Sequence, residues 1–236
     1  MRLDTSTTWG VVLAILACAT VGRAAEVSVS LDVASAYVFR GATFNDGLVL
    51  QPGVEVSGLP VTIGVWGNLD RGDYDGALVE NEFSEIDITV SYDIPVEAID
   101  LSVGYTEYVY PGGGVADREL SLSAGLDVLL TPSVALYYGV DGGIKDSIYV
   151  EAGVGHEFEV NKDLSVELGV TVGYVNPDEG DSGFSHYTAT LGASYAFIGA
   201  SVTYVGQIDD DVLPGVEDGG PYDTEIIGVL SLGHDF

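Results

Sequence analysis

The sequence predicts an all-β fold, a transmembrane antiparallel up-and-down β-barrel of about twelve strands with both chain ends on the periplasmic side. Three observations predict it. Past residue 25 the chain is a succession of short segments in which apolar and polar residues alternate, and no helical stripe of any length interrupts them. The connections between segments are short and long by turns. The last segment has one apolar face and stops on an aromatic residue, Phe236.

Residues 1–24 read as a secretory signal peptide and residues 25–236 as the barrel. Arg2 gives a weak positive start, the run from Val11 to Ala19 is the apolar core, and Gly22-Arg23-Ala24 is a small-x-small cleavage site. Cys18 is the only cysteine, so disulfides are excluded. Ile15-Leu16-Ala17-Cys18 faintly resembles a lipoprotein cleavage box, but Cys18 is more simply part of the apolar core.

The segments follow in order. The first two span residues 27–40 and 48–56, and 61–68 and 85–92 come next. The middle four are 99–110, 119–128, 134–141 and 147–158, and the last four are 164–174, 187–197, 199–207 and 225–236. Most are 8–12 residues long, near the 9–11 or so that a tilted strand needs to cross a bilayer. The turns at 57–60, 93–98, 129–133 and 159–163 are brief. The loops at 69–84, 111–118, 176–186 and 208–224 are longer and acidic. This asymmetry puts the acidic loops outside the cell, and an even strand count lets the sheet close without an edge.

Parity assigns the two faces. Leu164, Val166, Leu168, Val170, Val172 and Tyr174 face lipid on the ninth segment, and the same rule applies to its neighbours. Aromatic residues gather towards segment ends, with Tyr37, Phe39, Tyr105, Tyr174, Tyr187 and Tyr204 near one rim. Phe158, Tyr195, Phe197 and Phe236 lie near the other, as the two membrane interfaces favour. The opposite parity collects Ser, Thr, Gly and carboxylates. The pore-lining candidates are Arg40, Gln51, Glu55, Glu85, Asp87, Glu119, Asp141, Glu151 and Glu167, with Asp32, Asp127, Glu157 and Glu225 on the same face. So many like charges are prohibitive in a dry interior, so a wet, electronegative lumen is implied.

Charge and hydropathy agree. The chain of 236 residues has 37 Asp+Glu against 7 Lys+Arg, a net charge of −30, yet a mean hydropathy of +0.29. A protein with so few cations is a poor partner for nucleic acid, whose phosphates need Lys and Arg. An acidic lumen favours cations and passes small cationic or neutral solutes by passive diffusion. No cofactor is needed. An interior plugged rather than open stays an alternative, as does a structural or adhesive barrel whose acidic loops bind a partner or divalent cations.

The motifs resemble a known family. Tyr37-Val38-Phe39-Arg40-Gly41, then Asn45-Asp46-Gly47 and Gln51-Pro52-Gly53, are similar to the opening of the TorF-type porins, proteobacterial outer-membrane proteins described mostly as of unknown function. Trp66 and Asn68 within Gly64–Asp70 resemble that family's Gly-x-Trp-x-Asn/Ser segment, and Glu85-Ile86-Asp87 with Tyr92 its Glu-x-Asp strand. Gly104-Tyr105, Tyr108, Tyr110-Pro111-Gly112 and Glu119-Leu120 continue the match. The resemblance covers about residues 29–125 and implies a porin in the cell outer membrane with no established substrate. The last segment, ending on Phe236, separately resembles the closing strand of bacterial outer-membrane β-barrels, which implies that the assembly machinery reads Phe236. The family resemblance leaves homo-oligomerisation open.

Arg40 stands out as an inward base among carboxylates such as Glu85 and Asp87. It either shapes a constriction or ties the first loop to the wall. Other signals are weaker. Arg71–Gly76 with Glu82 overlays a calcium loop, but Arg71 takes a position that requires an oxygen ligand. Asp209-Asp210-Asp211 suits loose divalent-cation binding, or is simply a solvated loop charge. Ser185 and His186 are adjacent, and neighbours on a strand face opposite ways, so no catalytic pair is expected and the chain does not read as an enzyme.

Overall fold

The computed structural model describes residues 25–236 apart from 73, 75 and 77. The leader expected at 1–24 lies outside the described residues, as does part of the calcium-like loop. Strands β1 (Glu26–Ala34), β2 (Tyr37–Phe39), β3 (Ala42–Asn45), β4 (Val49–Ser57) and β5 (Thr62–Asp70) open the fold. They are followed by β6 (Phe83–Ile94), β7 (Asp100–Val109), β8 (Asp117–Gly125), β9 (Ser133–Asp141) and β10 (Ile148–Asn161). The chain ends with β11 (Leu164–Asn176), β12 (Gly183–Tyr195), β13 (Ile198–Gln207) and β14 (Ile226–Asp235). All but β2 and β3 form one closed antiparallel barrel of next neighbours, sealed where β14 pairs with β1. Closure places Leu31 opposite Leu232, and the Phe236 amide donates to the Val27 carbonyl at 2.9 Å.

The alternation does what the sequence pattern requires. On β6, Glu85, Asp87 and Thr89 share one face, while Ile86, Ile88 and Val90 share the other. The outer face is apolar and bare, with Leu191 56% exposed and Val202 54%. A continuous apolar belt of this kind is the outside of a membrane barrel. The His156 and Phe158 rings meet edge to face at 4.5 Å, and His234 and Phe236 repeat the arrangement at 4.6 Å.

The first segment departs from expectation. A single strand over 27–40 is corrected to β1 alone, which ends at Ala34. Ser35 still pairs with β14, its amide bonding the Gly228 carbonyl at 2.9 Å. The chain then leaves the wall and folds into the lumen as the β2–β3 hairpin. Phe39 pairs with Ala42, so Arg40 and Gly41 are its two-residue turn. Both have positive φ, 52° and 84°, the conformation that such a turn needs to follow strand twist. The buried apolar cluster accordingly lies inside the barrel. Ala34, Tyr37 and Val49 form it, with Phe39, Trp66 and Val229 packed around them. Tyr37 and Phe39 are therefore lumen residues and not part of an interfacial girdle.

Candidate functional site: a hairpin across the lumen

The lower part of the lumen, towards the short turns, is lined by small side chains. Ser28, Ser30, Gly53, Gly64 and Thr89 surround a cavity there with Glu55 and Trp66. Glu157 and Glu167 face each other directly across β10 and β11, and both are exposed. Like charges directly opposite one another repel, and the exposure of both lets solvent screen them.

The hairpin crosses the other half and is anchored at its turn. Arg40 makes a two-pronged ion pair with Glu119 of β8, Nη1 to Oε2 and Nη2 to Oε1, each 2.8 Å. Its guanidinium lies over the rings of Phe39, Tyr137 and Tyr149, at 4.7, 4.5 and 4.3 Å from their centroids. Glu119 is 3% exposed and also accepts from the Tyr108 hydroxyl at 3.0 Å. Burial opposes the charge on Arg40, but the hydrogen bonds and charge of Glu119 outweigh it and raise the guanidinium pKa. Tyr37 makes a second anchor, donating to Glu85 Oε2 at 2.9 Å. Burial, followed by the charge of Glu85, holds its phenol far above the ordinary pKa, so it remains a donor.

The far end of the hairpin is held by a polar knot. Asn45 Nδ2 and Asn68 Nδ2 both donate to Asp70 Oδ1, at 2.6 and 3.0 Å, and Gln51 Nε2 donates to Asn68 Oδ1 at 3.0 Å. Asn45, Asn68 and Asp70 are all buried, so each must find partners locally. From outside, the loop between β13 and β14 presses on the same hairpin. The Thr43 amide donates to the Pro221 carbonyl at 2.7 Å, and the Thr224 amide to Thr43 Oγ1 at 2.9 Å.

Of the cavities that border the hairpin, two meet at Arg40. The outer one, about 750 Å³, includes Phe39, Arg40, Phe44, Glu85, Tyr108 and Tyr149 in its lining. The inner one, about 350 Å³, includes Tyr37, Arg40, Gln51, Glu151, His186 and Thr203. Arg40 borders both, so the hairpin is the partition between them.

The other sequence candidates are spread over the inner face, the hairpin surroundings and the outer wall. Glu55 and Glu167 are exposed on the inner face of the wide half. Glu151 accepts from the Tyr149 hydroxyl at 3.1 Å, beside the hairpin turn. Gln51 belongs to the polar knot. Asp87 sits below Glu85 on β6, opposite Trp66 and Tyr108, with its Oδ1 buried and without a hydrogen-bond partner among the described residues. Asp141 is corrected: the register shifts between Arg118 and Glu119, and Asp141 lies beside Arg118 on the outer face. Arg118 Nη1 bonds it at 2.5 Å and Nη2 bonds Glu107 at 3.2 Å. Asp127 and Glu225 lie outside the strands. Arg40 is likewise corrected from a wall position to the hairpin turn, with Glu119 as its partner rather than Glu85 or Asp87.

Ser185 and His186 are corrected as well. The pairing slips between Gly173 and Tyr174, so Ser185 is an extra residue and both side chains are buried. Ser185 Oγ lies 3.0 Å from His186 Nδ1 and donates to the Gly173 carbonyl at 3.3 Å. Which of the two atoms donates across the Ser185–His186 contact is set by the tautomer of the ring. The ring stacks on Tyr149 at 6.3 Å and closes the wall around the hairpin.

Comparison with known proteins finds solved structures of similar shape. A membrane protein solved in a study of in-meso crystallization superposes with a TM-score of 0.51 at 10% identity, over 89% of this chain and 84% of that one. An outer membrane channel from Pseudomonas putida F1 superposes with a TM-score of 0.50 at 9% identity, over 91% and 96%. The NanC porin gives 0.49 at 10% identity, over 88% and 97%. Identities this low speak to fold alone. No curated protein sequence matches. The profile of one family matches residues 19–212, and the chain belongs to that family, described as bacterial protein of unknown function (Gcw_chp).

Proposed function

We propose that the protein is a narrow porin-like channel of the outer membrane, passing small cationic or neutral solutes, with the β2–β3 hairpin as its constriction. One observation carries the reading: the hairpin partitions a barrel whose other half is lined by exposed carboxylates, and Arg40 borders both chambers. The apolar outer belt supports insertion in lipid, and the shared fold of a known outer membrane channel is consistent with it. The resemblance of residues 29–125 to TorF-type porins is the finer assignment within this reading. Export by the leader and recognition of Phe236 by the assembly machinery complete it. Deleting Phe236 should lower the amount of barrel in the outer-membrane fraction of cells, and an unchanged amount would remove Phe236 from the proposal.

The deciding experiment is planar-bilayer conductance of refolded residues 25–236, with the reversal potential measured under a potassium chloride gradient. Small steps with cation selectivity are expected. The double anchoring of the hairpin favours one second reading, a barrel closed at rest whose outer loops bind a partner. Silence from a correctly folded barrel would move the assignment there.

A further inference from the structure

We infer that the outer chamber is a binding site for organic cations with a flat apolar body, such as aromatic or quaternary amines. This deepens the channel reading by naming a ligand class, and it concerns the mouth of the barrel whether or not the lumen conducts. At about 750 Å³ the chamber has the size of a small-molecule site, usually about 300–1,000 Å³. Its rings are partly committed and partly free. Phe39 and Tyr149 already lie under Arg40. Phe44 is 47% exposed at the lip, tilted against Tyr37 at 5.4 Å, and Tyr110 stands across from it in the lining. Both rings and Glu85 also border a second cavity of about 360 Å³ beside the first, so one face of each is open to a ligand.

The charge balance selects the sign. Two bases reach the chamber: Arg40 is taken up by Glu119 at 2.8 Å, and Lys145 is an exposed side chain 3.7 Å from Asp146. Beyond Glu85, which Tyr37 already engages, three carboxylates line it with no basic partner among the described residues, Asp117, Asp178 and Glu179. Asp117 is held in place, accepting from the Tyr110 hydroxyl at 2.8 Å and from the Gly143 amide. Aromatic faces beside fixed carboxylates are the chemistry that captures ammonium groups, and the acidic excess of the lining disfavours an anion.

Isothermal titration of the refolded barrel with benzyltrimethylammonium tests this, with benzoate and benzyl alcohol as the anionic and neutral counterparts. Saturable binding of the cation is expected, at least about fivefold tighter than either counterpart. Phe44→Ala should weaken it by about fivefold, and the exposed ring can be removed without disturbing the core. Asp117→Asn should weaken it similarly while keeping an acceptor for Tyr110, and Asp178→Asn serves if that variant does not fold. Absent binding, equal binding of the counterparts, or affinity unmoved by Phe44→Ala would overturn the inference. Because the readout is heat, binding without conductance would sink the channel reading alone, and conductance without binding would sink this inference alone.

Discussion

Arg40 occupies a backbone conformation that costs a non-glycine residue about 1–2 kcal/mol, and it stays there because its side chain is held on every side. Three rings flank the guanidinium and Glu119 takes both of its prongs. Glu119 is the residue most exposed to the loss of this pairing, being buried with only Tyr108 as an additional donor. Arg40→Ala should therefore lower stability by about 3–5 kcal/mol, the cost of leaving one partner of a buried pair alone. Arg40→Lys should recover only part of it, since an ammonium cannot match the two-pronged geometry. Denaturant unfolding of the refolded barrel checks both. Restoring stability with Glu119→Gln in the Arg40→Ala background identifies the stranded carboxylate as the cause. The same Arg40→Ala protein should show larger single-channel steps, and unchanged conductance and selectivity would remove Arg40 from the constriction. The base itself was legible in the sequence as the one inward cation among acids. Its partner was not, because Glu119 becomes reachable only once residues 37–45 leave the wall.

At the scale of elements, alternation identified every barrel strand because a lipid face and a lumen face impose the same period of two throughout. The hairpin escaped for the same reason: Tyr37-Val38-Phe39 continues an alternating pattern, although the outward apolar series of Val29, Leu31 and Val33 breaks at Ser35. Two one-residue slips escaped as well. The bulge at Ser185 and the shift beside Arg118 reverse faces without any composition signal, and they misplaced His186 and Asp141. The hairpin turn offers a direct test of the partition. A Cβ at Gly41 would come within 2.8 Å of both the His186 ring and Leu213, at a φ of 84°. Gly41→Val should push the turn out of its seat between β12 and the last loop while leaving the barrel wall closed. Trp66 is the only tryptophan after residue 24 and packs 5.6 Å from Tyr37, so its fluorescence should shift in this variant. An unshifted Trp66 with native resistance to unfolding would mean that the hairpin does not depend on its turn.

Across the whole molecule the lumen is graded. Large side chains, ion pairs and the hairpin fill the outer half, while Ser, Thr, Gly and exposed carboxylates line the inner half. In the proposed channel, resistance and selectivity have separate origins: the hairpin sets the narrowest part, and ion preference follows the fixed charge along the rest of the lumen. Arg40 contributes little net charge to that stretch because Glu119 neutralises it. Glu55, Glu151, Glu157 and Glu167 all belong to the wall and remain whatever the hairpin does. Replacing residues 36–47 with a short Gly-Ser turn should accordingly raise conductance several-fold and leave the reversal potential on the cation side. Raising the salt from about 0.1 M to about 1 M should reduce that selectivity in both proteins, as the screening length falls from about 10 to about 3 Å. If the shortened barrel conducts more but loses its cation preference, the hairpin and not the wall sets the charge filter. If it conducts no more than the parent, the hairpin is not the narrowest point, and the partition at Arg40 has no part in transport.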